Sequence, residues 1–288
     1  MKVRKAVIVA AGLGTRMLPA SKVIPKEILP VVDRPAIQIV VEEAVASGME
    51  EVVIVVAPGR ALVLEHFEPA EELERHLEEL GKYDLLEIVR ATIPPSRITS
   101  AVQPRPLGLG HAVLQARDAV GDEPFAVILP DDIFDADRPC LRQLLDVAEN
   151  REAPVVALMR VEPANISKYG IVEATPAGER LYKLTGMVEK PEPDKAPSDL
   201  AIVGRYVLTP EIFGLLAEGK PGAGGEIQLT DALLALSRRR AMYGYEFTGT
   251  RYDLGDRFGF LAAQIGMGLK RPELADRLRA YLKSVASS

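Results

Sequence analysis

Val9-Ala-Ala-Gly12-Leu-Gly14-Thr15-Arg16-Met-Leu-Pro19-Ala-Ser-Lys22-Val-Ile-Pro25-Lys26-Glu27-Ile-Leu-Pro30-Val-Val-Asp33-Arg34-Pro35 is the stretch that decides the fold. The apolar run leading into it, Ala6-Val-Ile-Val-Ala10, reads as a buried strand. Two glycines bracketing one residue follow, then a hydroxyl and an arginine. A strand that runs into a glycine-rich turn presents free backbone N–H groups, and a concave set of such donors binds phosphate. Arg16 adds a planar fork of donors matched to phosphate oxygens. Lys22 and Lys26 come next, among prolines that stiffen the segment. A Walker loop needs Gly-x-x-x-x-Gly-Lys-Ser/Thr, which the stretch lacks, and a dinucleotide fingerprint needs glycine where Met17 stands. The stretch is therefore a phosphate loop of another kind, with its cations inside the loop. The alternative is a strand-to-helix turn with incidental charges, and the crowding of three cations weighs against it.

The chain has 288 residues, 48% of them hydrophobic, and a formal net charge of −6. That length supports one large α/β domain with ample core. Mild acidity argues against non-specific nucleic-acid binding, so anions must be met by local clusters of cations. The single cysteine, Cys140, excludes an internal disulfide and a cysteine-rich metal site and suits a reducing cytosol. No apolar run approaches the roughly 20 residues of a membrane helix, and no signal segment precedes the first strand, so a cytoplasmic protein without a membrane contact is expected.

Residues 37–48 are helical in period and end on a capping glycine, and 51–57 form a second strand, giving a parallel strand–helix–strand unit. Residues 61–91 read as a helical insertion of two helices, the second broken near Gly81. His66 and His76 within it lack the spacing of a metal pair. A short strand at 98–103 leads to Pro104-Arg-Pro-Leu-Gly108-Leu-Gly110-His111-Ala112, a second glycine-rich turn opening a helix at Ala112, with His111 anchoring the loop. The most apolar strand, Phe125–Leu129, ends in Pro130-Asp131-Asp132. In open parallel sheets ligands sit at the carboxyl ends of strands, so both glycine loops, Gln103 and the paired aspartates are expected in one crevice. Asp132 suits either support of Asp131 or a helix N-cap. Residues 169–173 and 181–189 alternate as an antiparallel pair. Glu226 and Asp231 read as helix caps, Arg251-Tyr-Asp253-Leu-Gly255 as a tight turn, and the apolar stretch Phe258–Leu269 as buried within C-terminal helices at 257–285. One domain spanning 1–288 is expected.

Gly12-Leu-Gly-Thr-Arg-Met-Leu-Pro19 followed by Ile24-Pro-Lys-Glu-Ile-Leu-Pro30 resembles the nucleotide signature of the sugar-nucleotidyltransferases. From Lys5 to about Ala280 the chain is similar to their UTP–glucose-1-phosphate uridylyltransferase branch. The shared segments are the 61–91 insertion, Gly108-Leu-Gly-His-Ala, Leu129-Pro-Asp-Asp, Tyr169-Gly, Val188-Glu-Lys-Pro, Ala201-Ile-Val-Gly-Arg-Tyr, Glu226-Ile-Gln-Leu-Thr-Asp and Arg251-Tyr-Asp-x-Gly. The resemblance implies a Rossmann-like α/β domain: a mixed, mostly parallel central sheet flanked by helices, with a small antiparallel sugar-binding part. It implies transfer of uridylyl from UTP to glucose 1-phosphate, with Mg²⁺ as cofactor and a homodimer or homotetramer as the assembly. Gly12, Gly14, Thr15 and Arg16 would hold the departing phosphates, and Lys26 would reach the reaction centre. Gln103 and Gly108 would read the uracil edge, with Ala11 and Gly12 packing the nucleoside. Asp131 and Asp253 would hold the metal. Glu189 would accept from sugar hydroxyls, Lys190 would pair with the sugar's phosphate, and Gly170 would meet the sugar through backbone. Tyr169 would belong to the core or to the sugar pocket, and Lys22 would face solvent. Gly225, where an acid is common, and Arg34, where lysine is usual, depart from the pattern without touching the phosphate or metal set. The rival implications are the same chemistry on dTTP and a non-catalytic sugar-nucleotide-binding paralogue.

Overall fold

A computed structural model describes residues 1–219, 222 and 225–287. Ala223 and Gly224 of the segment read as leading into a helix lie outside the described residues. The chain begins with β1 (Lys5–Ala10) and passes through three short 3-10 turns. Then come β2 (Pro30–Val31), β3 (Arg34–Pro35), α1 (Ala36–Ala46) and β4 (Glu51–Val56). The insertion follows as α2 (Leu62–Glu65), α3 (Glu71–Glu79) and α4 (Tyr83–Arg90). Three helices form rather than two, and the break between α3 and α4 falls at Gly81, whose φ of +67° ends the first of them. The middle of the chain gives β5 (Arg97–Val102), α5 (Leu109–Gln115), α6 (Arg117–Val120), β6 (Phe125–Ile128), β7 (Asp132–Asp135), α7 (Cys140–Arg151) and β8 (Val155–Arg160). It closes with β9 (Gly170–Gly178), β10 (Leu181–Glu189), β11 (Leu200–Leu208), α8 (Glu211–Glu218), α9 (Leu229–Ser237), β12 (Tyr243–Glu246), β13 (Thr250–Asp253), α10 (Arg257–Leu269) and α11 (Pro272–Ala286).

Nine strands share one mixed sheet in the order β5-β4-β1-β6-β11-β8-β12-β10-β9. The first four are parallel, with Ile8 of β1 opposite both Ile54 of β4 and Ile128 of β6. Beyond them β11 runs antiparallel to β6 and β8, and β9 and β10 form the antiparallel pair the alternation implied. Because helices cover both faces, alternate residues of the inner strands feed two different cores. Ala6, Ile8, Val52, Ile54, Ala126 and Ile128 face α1 and α7. Val7, Val53, Val55, Phe125 and Val127 face α5, α8 and α9, with Phe125 and Phe213 stacked at 4.9 Å. No helix among the described residues is long and apolar enough to cross a membrane.

Two expectations fail here. Phe258 and Leu261 of α10 are not buried but 78% and 55% exposed, because α10 turns another face inward, with Ala263 and Gly268 buried and Phe260 and Met267 packed on the core. Arg251–Asp253 is not only a turn but the strand β13, pairing antiparallel with β7 so that Asp253 lies opposite Asp132.

Candidate active site

The carboxyl end of β1 opens into the quoted loop, and no α-helix starts before Ala36, so the strand-to-helix alternative does not hold. Pro19 and Pro25 disfavour a helical continuation. The loop coils instead through 3-10 turns at Thr15–Met17, Ala20–Lys22 and Lys26–Ile28. Gly14 adopts φ +68°, and Ser21 Oγ donates to its carbonyl at 2.6 Å, folding the loop back on itself. Lys22 faces solvent. Lys26 is held inside: its Nζ donates to Asp131 Oδ2 at 2.7 Å, and Arg16 Nη2 stands 4.0 Å from the same oxygen. Burial would lower the Lys26 pKa, but Asp131 and Glu27 raise it on balance. Burial likewise pushes the Asp131 carboxyl up, and the charge and hydrogen bond of Lys26 outweigh it, so Asp131 stays below its ordinary value. Both groups are therefore ionised at neutral pH. Glu27, buried beside them, is pushed up to about 7 by desolvation, and its Oε1 receives no hydrogen bond.

Asp131 lies in the turn between β6 and β7, and a buried arginine fastens that turn. Arg205 of β11, with no exposed surface, donates to the carbonyls of Leu129, Asp132 and Gly204 at 3.1, 2.9 and 2.9 Å. Its charge is met by Glu43 of α1 at 2.6 Å, and Glu43 also accepts from Leu141 N–H at 2.9 Å. Asp132 caps no helix. It opens β7, and its Oδ1 accepts from Arg251 Nε at 2.6 Å. Its Oδ2 packs so closely on Gly204 that a Cβ there would collide with it. Burial and the neighbouring Asp131 and Asp253 carboxylates push Asp132 up to about 6 against the pull of Arg251. Arg251 also donates to Tyr169 Oη at 3.0 Å and lies over that ring, and Tyr169 lines a cavity together with Asp131 and Asp253. Asp253 Oδ1 accepts from Gly255 N–H at 2.9 Å.

Gly108, at φ +101°, is the N-cap of α5, so the helix opens at Leu109 and not at Ala112. The glycines are required by close approach: a Cβ on Gly108 or Gly110 would lie 2.8 or 2.7 Å from Ile227 O. Gly110 N–H donates to that carbonyl at 2.9 Å, and Ile227 N–H returns a bond to Leu107 O at 2.8 Å. Gln103 Nε2 reaches Gly108 O at 3.1 Å and His111 Nδ1 at 3.0 Å, so His111 does anchor this loop.

Across the sheet, β9 sets Gly170 opposite Glu189, the last residue of β10. Lys190 then takes φ +48°, a left-handed conformation costly for a side-chain-bearing residue, and its N–H donates to Tyr169 O at 3.0 Å. Glu189 Oε1 is 3.3 Å from Lys190 Nζ, and Glu189 Oε2 accepts from Thr230 Oγ1 at 2.6 Å. A Cβ on Gly170 would lie 3.0 Å from Thr230 Oγ1 and 3.1 Å from Glu189 Oε2, so a side chain there would press on both oxygens. Neither Glu226 nor Asp231 caps α9, whose N-cap is Gln228; Glu226 lines the crevice instead.

Two cavities result. One of about 570 Å³ is lined by Ala11, Gly12, Gly14, Thr15, Arg16, Lys26, Gln103, Gly108, Asp131 and Lys190. The other, about 280 Å³, is lined by Gly170, Glu189, Lys190, Asp131, Asp132, Tyr169, Thr230, Arg251 and Asp253. Arg16, Asp131 and Lys190 border both. Every residue singled out for a site role thus falls on one of the two. The residues missed are Arg205, Glu43, Thr230 and the bracing role of Arg251. Arg205 carried a physical signal, a lone cation inside the apolar run 201–208, while Thr230 and Arg251 stood only as members of shared segments. Among the described residues no cluster of three or more His, Cys, Asp or Glu could hold a metal unaided. The arrangement offers cations, backbone donors and carboxylates, suited to holding two polyanions rather than to forming a covalent intermediate.

The family model described as nucleotidyl transferase matches residues 5–266. The UTP–glucose-1-phosphate uridylyltransferase of Bacillus subtilis (strain 168) is 46% identical over 284 residues, covering 99% of this chain and 97% of that protein. UTP-bound UGPase from Acinetobacter baumannii superimposes with a TM-score of 0.90 at 38% identity, covering 98% of this chain and 99% of that one. A UDP-glucose pyrophosphorylase complexed with UDP-glucose gives 0.87 at 38% identity, covering 94% and 100%. With this identity to those relatives over nearly its whole length and a fold that superimposes on theirs, the chain belongs to the nucleotidyl transferase family, in its UTP–glucose-1-phosphate uridylyltransferase branch.

Proposed function

We propose that the protein transfers a uridylyl group from UTP to α-D-glucose 1-phosphate, giving UDP-glucose and pyrophosphate. The observation that carries this reading is the convergence of Arg16, Lys26 and Lys190 around Asp131 where the two cavities meet. A phosphate oxygen of glucose 1-phosphate attacks the α-phosphorus of UTP. One P–O bond forms there, and the bond from that phosphorus to the bridging oxygen breaks, its electron pair leaving with pyrophosphate. The attacking phosphate has a second pKa near ~6, so it is anionic at neutral pH and needs no general base. The chain's task is alignment and charge stabilisation.

In this reading the larger cavity takes UTP. Gly12, Gly14, Thr15 and Arg16 hold the departing phosphates, and Lys26 turns from Asp131 to the phosphates at the reaction centre. Gln103, pinned by Gly108 and His111, presents its amide to the uracil, and Ala11 and Gly12 pack the nucleoside. The smaller cavity takes the sugar phosphate, with Glu189 accepting from hydroxyls, Lys190 meeting the phosphate and Gly170 giving room. Asp131 and Asp253 suit Mg²⁺: both are hard oxygen donors on one cavity, and a small protein ligand set is what an ion completed by substrate phosphates and waters uses. The shorter bond from Arg251 Nε to Asp132 Oδ1, 2.6 Å, supports giving Asp132 a bracing role beside that set. When bound, Mg²⁺ supplies charge neutralisation on the transferring phosphate. The exposed Phe258 and Leu261 support assembly into a homo-oligomer, and the nucleotide substrate supports a cytoplasmic setting; the shared sheet beneath both cavities supports a single domain over 1–288.

The test is pyrophosphate release across a grid of UTP and dTTP against glucose, galactose and glucosamine 1-phosphates. UTP with glucose 1-phosphate is expected to have the highest kcat/KM. Preference for dTTP would overturn the uridylyl assignment, and no Mg²⁺-dependent release with any pair would leave a binding protein.

A further inference from the structure

We infer that Thr230 is a positioning residue that fixes the Glu189 carboxylate for the incoming sugar, an inference that rests on the functional reading above. Glu189 is the last residue of β10, and an unheld glutamate side chain has several staggered rotamers. Three contacts remove that freedom. Thr230 Oγ1 donates to Oε2 at 2.6 Å, a short charge-assisted bond, and Lys190 Nζ stands 3.3 Å from Oε1. Gly170, opposite on β9, brings its backbone so close that a Cβ would lie 3.1 Å from Glu189 Oε2 and 3.0 Å from Thr230 Oγ1.

Thr230 can impose a direction because its own is imposed. It is the second residue of α9, which is seated on the core through Leu229, Leu233 and Leu236. A β-branched side chain on a helix has few χ1 choices, so the helix aims the hydroxyl. The first turn of a helix also favours a nearby anion. A hydroxyl has a single proton. Once Thr230 gives it to Oε2, each carboxylate oxygen keeps acceptor capacity directed into the cavity, and donors from the sugar complete the set. The Glu226-Ile-Gln-Leu-Thr230-Asp231 segment thus serves both substrates: Ile227 braces the donor-side glycine turn, and Thr230, three residues on, braces the acceptor side.

Steady-state kinetics of the full-length wild type, Thr230→Val and Thr230→Ser test this, with thermal melting as a fold control. Valine keeps the shape and removes the donor. The expected result is a KM for glucose 1-phosphate raised about tenfold in Thr230→Val, the loss of roughly one charge-assisted bond. The KM for UTP and the melting temperature should stay near wild type, and Thr230→Ser should restore most of the loss. An unchanged KM for glucose 1-phosphate in Thr230→Val, equal rises for both substrates, or failure of serine to rescue would each overturn the positioning role while leaving the functional reading in place. A wild type that does not turn over UTP and glucose 1-phosphate would overturn both.

Discussion

In the half of the site that the proposal gives to the donor, residues 11–26 form one continuous run shaped by local contacts, as between Ser21 and Gly14, and only Gln103 and the Gly108 turn join it from farther along the chain. In the acceptor half, Gly170, Glu189, Thr230 and Asp253 come from β9, β10, α9 and β13, separated by long stretches of chain. The donor loop is open: Gly12, Thr15 and Arg16 are exposed, and their backbone and charge wait for a ligand. The acceptor pocket is internally committed, with Asp132, Arg251, Tyr169 and Asp253 linked to one another and Glu189 tied to Thr230. A flexible triphosphate can be gathered by a loop that yields to it. A rigid sugar has to be told apart from its epimers, and only fixed groups can do that.

The strongest way to break the comparison is at Asp131, where the halves meet. Asp131→Asn should reduce metal-dependent turnover on the order of a thousand-fold. Metal-free UTP binding, measured by calorimetry, should persist, because Lys26 loses the carboxylate that competes with phosphate for it. Wild-type turnover in this variant would remove the metal assignment. A smaller effect is expected at the donor-side turn. Gly108→Ala forces a side chain into φ +101° and against Ile227 O, and it should raise the KM for UTP on the order of tenfold with a smaller change for glucose 1-phosphate. An equal change for both substrates would show that this turn serves more than the donor side.

The smallest effect concerns stability and pH. Glu27 carries a folded-state pKa of about 7 against an ordinary 4.5. Its protonated form is the one folding favours, so its contribution is present in full below about 4.5 and gone above about 7. The shift corresponds to about 3 kcal/mol. Melting temperatures from pH 5 to 8 should therefore fall more steeply in the wild type than in Glu27→Gln, by a few degrees across the window. A steeper fall in the variant would contradict the burial of a carboxyl whose Oε1 receives no hydrogen bond.

The same contrast governs what could be read from the sequence. The donor loop was legible because its glycines, cations and prolines sit side by side and act locally. The parallel strands were legible because burial on both faces makes them continuously apolar. Asp132 stayed open between support of Asp131 and an N-cap because Asp before an apolar run suits both, and its fate is decided by Arg251, 119 residues away, on a strand that pairs only in the folded chain. The helix at Leu109 was read late because Gly110 resembles a turn residue, and its real cause, the approach of Ile227, is long-range. The α10 stretch misled because uniform apolarity conceals which face is turned outward. Thr230 stood only as a member of the shared Glu226–Asp231 segment, since nothing about a threonine in a helix start indicates a carboxylate on a distant strand.

The division of labour between the two halves is tested most directly by Lys190→Ala, with KM and kcat measured for each substrate separately. Lys190 borders both cavities but is held on the acceptor side by its bonds to Tyr169 and Glu189. The KM for glucose 1-phosphate should rise far more than the KM for UTP, with UTP binding close to wild type. Equal losses for the two substrates would contradict the assignment of separate donor and acceptor sites.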